Sequence, residues 1–186
     1  MKYLSIKDML QMIEEPYRKK ALILFKENET IFRERKASKA KHQVWRGGYL
    51  NHIEEVMNIA IVLYNTLNAL RPLPFSLSDA LLILFLHDLE KIWIGNNYRQ
   101  LPLKERFKII VNTLSKKYGF KLTAEQLNGL KYVEGEGEEF HPTKRIQGPL
   151  AAFAHVCDVI SARIWYNYPA AQNDPWEGAV RYNNEI

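Results

Sequence analysis

The sequence has almost no cysteine and no long apolar run, and each shortage excludes a class of protein. Cys157 is the only cysteine among 186 residues, which excludes an internal disulfide framework and fits a reducing cytoplasm. No stretch of about 18 apolar residues occurs, so no membrane span is expected. The first residues carry charge and lack a long apolar core, unlike a signal peptide. We therefore expect a cytoplasmic protein in which Cys157 is a small buried side chain.

The sequence also lacks a strong excess of one charge. Lysine and arginine number 26 and aspartate and glutamate 21, which gives a formal net charge of +5 and a pI of about 9.2. This balance favours an anionic substrate or partner without requiring nucleic acid. Hydrophobic residues at 47% and charged residues at 25% are typical of a globular domain with a sizeable core.

Neither internal repeats nor the alternating pattern of β-strands occur, and apolar residues recur at helical spacing nearly throughout. Ser76 with Asp79 and Thr123 with Gln126 are typical of helix starts, and Gly119 is typical of a helix end. The predicted helices cover residues 6–14, 17–35, 49–70, 77–93, 103–118, 124–133 and 150–166.

This pattern predicts an all-α fold, a single compact multi-helix bundle that forms one structural domain. N-terminal helices over residues 1–40 are expected to pack on a core over residues 41–168. The tail over residues 169–186 carries proline, asparagine and glycine without a clear period, so we expect it to be irregular.

Four ionisable residues stand in apolar helical surroundings: His52, the pair His87-Asp88, and Asp158. An unpartnered ionised group is costly to bury, so these residues are expected to be paired or bound to a metal. Two imidazoles and two carboxylates suit one divalent transition ion, Mn²⁺, Fe²⁺, Co²⁺, Ni²⁺ or Zn²⁺, with Mg²⁺ as the alternative. For His87-Asp88 taken alone, a core histidine beside a capping aspartate is the alternative interpretation.

Three neighbours share helix faces with these residues. Lys91 follows Asp88 by three residues, so it points into the same space and suits a phosphate oxygen; a lysine that reaches out to solvent is the alternative. Glu55 follows His52 by three residues, where it orients the imidazole, positions water or is simply solvated. His155 precedes Asp158 by three residues and is interpreted as a satisfied core histidine.

The ordered pattern resembles the signature of the HD-domain metal-dependent phosphohydrolases over about residues 41–166. His42-Gln-Val-Trp-Arg-Gly-Gly-Tyr-Leu-Asn-His52 is similar to a histidine and double-glycine motif found in several branches of that family. Leu86-His-Asp-Leu-Glu-Lys91 is similar to the family's central His-Asp segment. His155-Val-Cys-Asp158, followed by Ile-Ser-Ala-Arg, resembles its closing helix.

The resemblance implies an HD-domain-like bundle in which the metal ligands are His52, His87, Asp88 and Asp158. It also implies that Lys91 contacts the scissile phosphate or the attacking water, so Lys91 and Asp88 are the candidate catalytic residues. Branches with two metals carry further histidines, one of them commonly where Tyr132-Val133 stand here. A single ion is therefore expected.

Basic residues outside the ligand set are candidates for substrate binding. Arg46 lies close to His52 in sequence, and Lys144 and Arg145 follow His141 in one loop, where they are expected to clamp a phosphate. A basic surface loop that balances nearby glutamates is the alternative for the last two. Trp45 is expected either to stack on a base or to staple a helix start.

Together these features predict a hydrolase that cleaves a phosphate ester of a nucleotide or a related small molecule by a metal-activated water. One alternative is a nuclease or cyclic-nucleotide phosphodiesterase with the same site, because residues 36–41 form a basic linker beside Trp45. Another is a non-catalytic sensor of metal or nucleotide. A small anionic substrate is the expected partner, with nucleic acid as the alternative, no membrane partner, and a homo-oligomer left open.

Overall fold

Within the ranges 1–95, 98–167 and 174–179, which a computed structural model of the chain describes (for Arg99 the backbone alone), the fold is all-α and contains no strand. Residue 168 and most of the predicted tail over 169–186 lie outside these ranges. The helices are α1 (Ile6–Gln11), α2 (Tyr17–Glu34), α3 (Gly48–Leu70), α4 (Leu77–Leu86), α5 (Leu89–Trp93), α6 (Leu103–Tyr118), α7 (Ala124–Lys131) and α8 (Pro149–Val159).

Local capping determines where several helices begin and end. The side chain of Ser76 accepts a hydrogen bond from the Asp79 backbone N–H, and Thr123 does the same for Gln126, with the reciprocal bonds completing each capping box. Gly119 ends α6 with a φ of 68°, a left-handed conformation that glycine adopts without strain. These three sequence predictions are confirmed.

The predicted helix over residues 77–93 is wrong, because the structure divides it at the His87-Asp88 pair. Helix α4 ends at Leu86 and α5 begins at Leu89, while Asp88 has a non-helical φ of −105° and ψ of 12°. No glycine or proline marks this break. At this junction the side chains of His87 and Asp88 face helices α3 and α8.

The predicted helix over residues 150–166 is also too long. The α-helical part ends at Val159, and residues 160–164 continue as one π-helical turn before the chain leaves the helix at Trp165. Single π turns are often found at functional sites, because the wider turn re-aims side chains. Here the turn carries Ser161, which is fully buried.

The core forms around α3 and α4. Helix α3 packs against α2, α4 and α8, and α4 also packs against α7 and α8. One hydrophobic cluster contains buried side chains from all eight helices, and each large aliphatic side chain buried there contributes about 1.5–3 kcal/mol. In the part of the chain that is described, no helix has the combined length and apolar character needed to cross a bilayer.

Gly47 and Gly48 start α3 for two different steric reasons. Gly47 has a φ of 81°, a left-handed conformation that disfavours residues with a Cβ atom. A Cβ atom added to Gly48 would lie 2.1 Å from the backbone oxygen of Gln43. The double glycine thus allows the segment containing Gln43 to lie directly against the first turn of α3.

We predict that Gly48→Ala lowers the free energy of unfolding by about 1–3 kcal/mol, because the backbone of Gln43 must move away. Urea unfolding followed by circular dichroism measures this change. Gly148→Ala is the comparison variant, since its added Cβ atom would meet a side-chain oxygen, that of Asn128 at 2.9 Å, and no backbone atom. Equal stability losses in the two variants would contradict the proposed backbone contact.

Candidate metal centre

Three separate helical regions bring a set of ionisable side chains together. His52 lies in the second turn of α3, His87 and Asp88 form the junction between α4 and α5, and Asp158 lies near the end of α8. One ligand atom each from His52, His87 and Asp158 falls within 4.8 Å of the others. The bundle therefore places residues that are up to 106 positions apart (52 and 158) around one point.

The fourth predicted ligand, Asp88, lies beside this cluster. Its Oδ2 atom is 3.9 Å from His52 Nε2 and 3.6 Å from His87 Nε2. Asp158 Oδ1 approaches the same nitrogens at 3.1 Å and 3.9 Å. Both imidazoles thus present Nε2 to two carboxylates, while Asp88 also binds Lys91.

The orientation of the His87 ring follows from its backbone contact. His87 Nδ1 lies 2.7 Å from the Leu84 carbonyl oxygen, which can only accept, so Nδ1 carries a proton. Nε2 is the remaining ring nitrogen, and it is buried without a hydrogen-bond partner among the described residues. A satisfied core histidine would have such a partner, so this interpretation of His87 does not fit.

His52 is oriented through Ser161 and Glu55. The Ser161 hydroxyl donates to Glu55 Oε2 at 2.5 Å, so its oxygen accepts from His52 Nδ1 at 3.0 Å. His52 Nε2 is thereby directed at Asp158. Glu55 is buried, which contradicts the alternative that it is solvated. Glu55 contacts His52 through Ser161 of the π turn.

Gln43 extends this network to a third histidine. Its side-chain amide donates to Glu55 Oε2 at 3.1 Å and to Ser161 Oγ at 3.3 Å, which leaves Oε1 to accept from His42 Nδ1 at 2.6 Å. The ring of His42 lies 4.9 Å from that of His52. Burial and the nearby His52 lower the pKa of His42 to about 4, so His42 is neutral at physiological pH.

Lys91 and Asp88 form a buried ion pair at 2.5 Å. Burial opposes both charges, but the attraction outweighs it: the Lys91 ammonium lowers the pKa of Asp88, and Asp88 raises the pKa of Lys91. Both groups are ionised at neutral pH as a result. The Asp88 side chain makes no capping hydrogen bond to α5, which contradicts its interpretation as a simple helix cap.

These side chains fit a divalent cation. Burial lowers the pKa of His52 despite the opposing effect of Asp158, and His52 Nδ1 holds its proton on Ser161, so a neutral His52 presents a lone pair to the Asp158 carboxylate at 3.1 Å. Two electron-rich atoms at this distance repel each other unless a proton or a metal ion lies between them. The Nε2 atom of His87 is a second nitrogen without a hydrogen-bond partner among the described residues, so His52, His87, Asp158 and the adjacent Asp88 are the residues that would hold an ion.

A cavity of about 790 Å³ opens beside this cluster. Lys91 and His42 line it on the side of the candidate metal ligands, and Tyr98 and Gln100 line it near the start of α6. Its volume suits a small organic ligand. The cavity therefore provides the space next to Lys91 that a substrate requires.

The three predicted substrate-binding residues lie elsewhere. Arg46 is exposed and its guanidinium donates to Glu34 at 2.8 Å, while Lys144 and Arg145 are exposed in the loop before α8. None of the three is among the described residues that line the cavity containing Lys91. Their contact with substrate stays a prediction.

Several other sequence interpretations can be placed. His155 Nδ1 lies 2.6 Å from the Val133 carbonyl oxygen, in keeping with a structural role, and His141 is exposed and contacts Thr143. The indole of Trp45 donates to Asn51 Oδ1 at 2.9 Å, which fixes it at the start of α3. Trp45 is half-buried there, as a helix staple would be.

Sequence reasoning did not identify Gln43 and Ser161. Both are uncharged, and their roles depend on contacts across more than 100 positions of chain between residues 43 and 161. One signal was present: a hydroxyl residue three positions after Asp158 falls near the same helix face as that ligand. No comparable local signal singled out Gln43.

We predict that His87→Ala abolishes stable metal binding, because it removes the ring nitrogen that has no other partner. Elemental analysis should show about one Mn²⁺, Co²⁺ or Ni²⁺ ion per wild-type chain and almost none in the variant. His141→Ala is the matched control, since this histidine is exposed and distant in sequence from the ligands. Equal metal content in wild type and His87→Ala would refute the assignment.

We further predict that Ser161→Ala weakens metal binding by about 10–100-fold, because His52 loses the group that fixes its Nδ1 proton. Titration calorimetry with Ni²⁺ measures the affinity. Ser115→Ala, in an exposed position of α6, should leave it unchanged. An unaltered affinity in Ser161→Ala would show that His52 does not need this contact.

The chemistry of these residues is the basis for a functional assignment, because the comparisons give no relative. No family model, curated protein or solved structure matches the chain.

Proposed function

We propose that this protein is a metal-dependent phosphohydrolase that cleaves a phosphate ester of a nucleotide or a related small molecule. The observation that carries the proposal is the meeting of His52, His87 and Asp158 next to a cavity lined by Lys91. The ordered residues that resemble the HD-domain phosphohydrolases are the same ones that meet here, with Asp88 beside them. This agreement supports the proposal from two directions.

A bound divalent ion would supply Lewis-acid chemistry, lowering the pKa of water and polarising a phosphoryl oxygen. The protein's own residues orient the candidate ligands: Glu55 and Ser161 hold His52, and the Leu84 carbonyl holds His87, so that each Nε2 atom faces the carboxylates. Ligands fixed in this way lose little freedom when they bind an ion, which favours affinity.

Lys91 is the proposed electrostatic partner of the phosphate. Its ammonium is buried and charged because of Asp88, and it also lines the cavity. A phosphoryl group that enters the cavity meets this cation in surroundings where charge interactions are stronger than in water. Lys91 would therefore offset negative charge that builds up on the non-bridging oxygens.

A nuclease or cyclic-nucleotide phosphodiesterase with the same site receives less support. That alternative uses Trp45 to stack on a base, but the indole N–H of Trp45 is bonded to Asn51 and the ring is absent from the described lining of the cavity. A non-catalytic sensor of metal or nucleotide would use the same residues, and it differs from the hydrolase in releasing no phosphate.

We predict that Lys91→Met lowers kcat for phosphate release by about 100-fold or more while bound metal is retained, since Lys91 acts on the substrate and is not a ligand. Phosphate release should be measured on nucleoside monophosphates and on bis-phosphoesters with Mn²⁺, Co²⁺, Ni²⁺ or Mg²⁺. Lys108→Met, on the exposed face of α6, is the charge-matched control.

Asp158→Ala provides the companion measurement. This variant should lose metal and phosphate release together, because Asp158 contacts both histidines. Turnover that survives in metal-stripped Asp158→Ala protein would overturn the proposed function. So would the absence of phosphate release from every substrate class in wild-type protein shown to contain metal.

A further inference from the structure

The basic linker of the sequence forms one wall of the cavity. Lys36, Lys39 and Lys41, which we call the basic wall, line the same space as Lys91 and His42. The three lysines are therefore not only a solvated linker, because they share a cavity with the candidate catalytic residue Lys91. The cavity therefore carries positive charge both at Lys91 and along the basic wall.

The three lysines of the basic wall are exposed. In the described part of the chain, no carboxylate forms an ion pair with any of them. Among the described residues that line the cavity, Glu34 is the acidic one, and it is already bonded to Arg46 at 2.8 Å. Lys91 in turn is balanced by Asp88. Arg35 also lines the cavity, so its described lining contains more cations than carboxylates, and the three lysines of the basic wall supply much of that excess. A cleft lined mainly by one sign of charge attracts ions of the opposite sign.

The basic wall is held in place before any ligand arrives. Ala37 is buried and its N–H donates to the Gln43 carbonyl oxygen at 3.1 Å, and the Lys41 N–H donates to Ser38 Oγ at 3.2 Å. Gln43 is the residue whose side chain reaches Glu55 and Ser161. The segment that carries the lysines is therefore anchored to the network that orients His52, and such pre-organisation lowers the entropic cost of binding.

We infer that the basic wall binds the additional phosphoryl groups of a substrate that carries two or more linked phosphates. This inference rests on the proposed function, since it places the cleaved phosphoryl at Lys91 and the others along residues 36–41. One phosphate would need only the cation at Lys91. A chain of phosphates has the charge density that several lysines on one wall can match.

A compact oligophosphate fits the cavity better than a strand of nucleic acid does. Proteins that bind single strands combine basic residues with aromatic platforms for successive bases. Besides the imidazole of His42, Tyr98 is the one aromatic side chain among the described residues that line the cavity. Tyr98 is largely buried and packs on Arg106. The indole N–H of Trp45 donates to Asn51, and Trp45 is not among the described residues that line the cavity.

The test is titration calorimetry of the full chain with inorganic tripolyphosphate and with orthophosphate, at low salt and without added divalent ions. The triple variant Lys36→Gln, Lys39→Gln, Lys41→Gln should bind tripolyphosphate about tenfold or more weakly than wild type and orthophosphate almost equally. The affinity for tripolyphosphate should also fall as salt is added, because exposed charges are screened.

The control is the triple variant Lys26→Gln, Lys108→Gln, Lys116→Gln, which removes three exposed lysines of α2 and α6 outside the cavity lining. It changes the net charge equally and should bind tripolyphosphate within about twofold of wild type. Equal losses in the two triple variants would overturn the inference, since net charge alone would then explain the binding. No binding of tripolyphosphate to wild type would overturn it as well.

Two further arms separate the remaining explanations. Tighter binding of a single-stranded RNA oligonucleotide than of tripolyphosphate, lost in the basic-wall variant, would overturn the inference in favour of nucleic acid. A nucleoside triphosphate that binds as tightly as tripolyphosphate, or more tightly, supports it and shows whether a nucleoside adds affinity.

Failure of this inference and failure of the proposed function remain distinguishable, because binding is measured without turnover. Selective tripolyphosphate binding without phosphate release from any substrate would support the basic wall and refute the hydrolase. Metal-dependent release of phosphate from a monoester, without tripolyphosphate binding, would support the hydrolase and refute the basic wall as a phosphate-binding surface.

Discussion

The buried carboxylate of Glu55 is the group on which the candidate site depends. An ionised carboxylate inside a protein costs several kcal/mol unless hydrogen bonds satisfy it, and Glu55 accepts them from Ser161 and Gln43. Ser161 in turn fixes His52, and Gln43 anchors the segment that lines the cavity. The hydrogen bonds of one buried carboxyl group thus link the orientation of a candidate ligand to the segment that lines the cavity.

The charges around this network are arranged unequally. Asp88 is balanced by Lys91 inside the protein, whereas Asp158 faces imidazole nitrogens that supply no full positive charge of their own when neutral. The site therefore has one carboxylate, Asp88, that a buried lysine balances, and one, Asp158, that faces only imidazoles. Ionisable groups in such unusual surroundings are found often at functional sites.

The sequence predicted the fold class, the helix caps and the proximity of His52, His87 and Asp158, with Asp88 beside them, because each of these depends on local spacing or on the cost of burying charge. It did not predict the helix break at His87-Asp88, since no glycine or proline signals it and the surrounding helices stabilise it. The π turn that carries Ser161 and the role of Gln43 were not predicted either. Ser161 and Gln43 act through polar contacts between distant segments, and amphipathic periodicity carries no information about such contacts.

The distribution of the ligands over three helices links the site to folding. His52, His87 and Asp158 approach one another only when α3, the α4–α5 junction and α8 have docked, so the unfolded chain has no equivalent set. An ion that binds the native state alone stabilises it by about 1.4 kcal/mol for every tenfold excess of its concentration over its Kd. With the proposed ion as ligand, the thermal stability of the protein would rise with the free metal concentration, and the apoprotein and the metal-loaded protein would differ in lifetime as well as in chemistry.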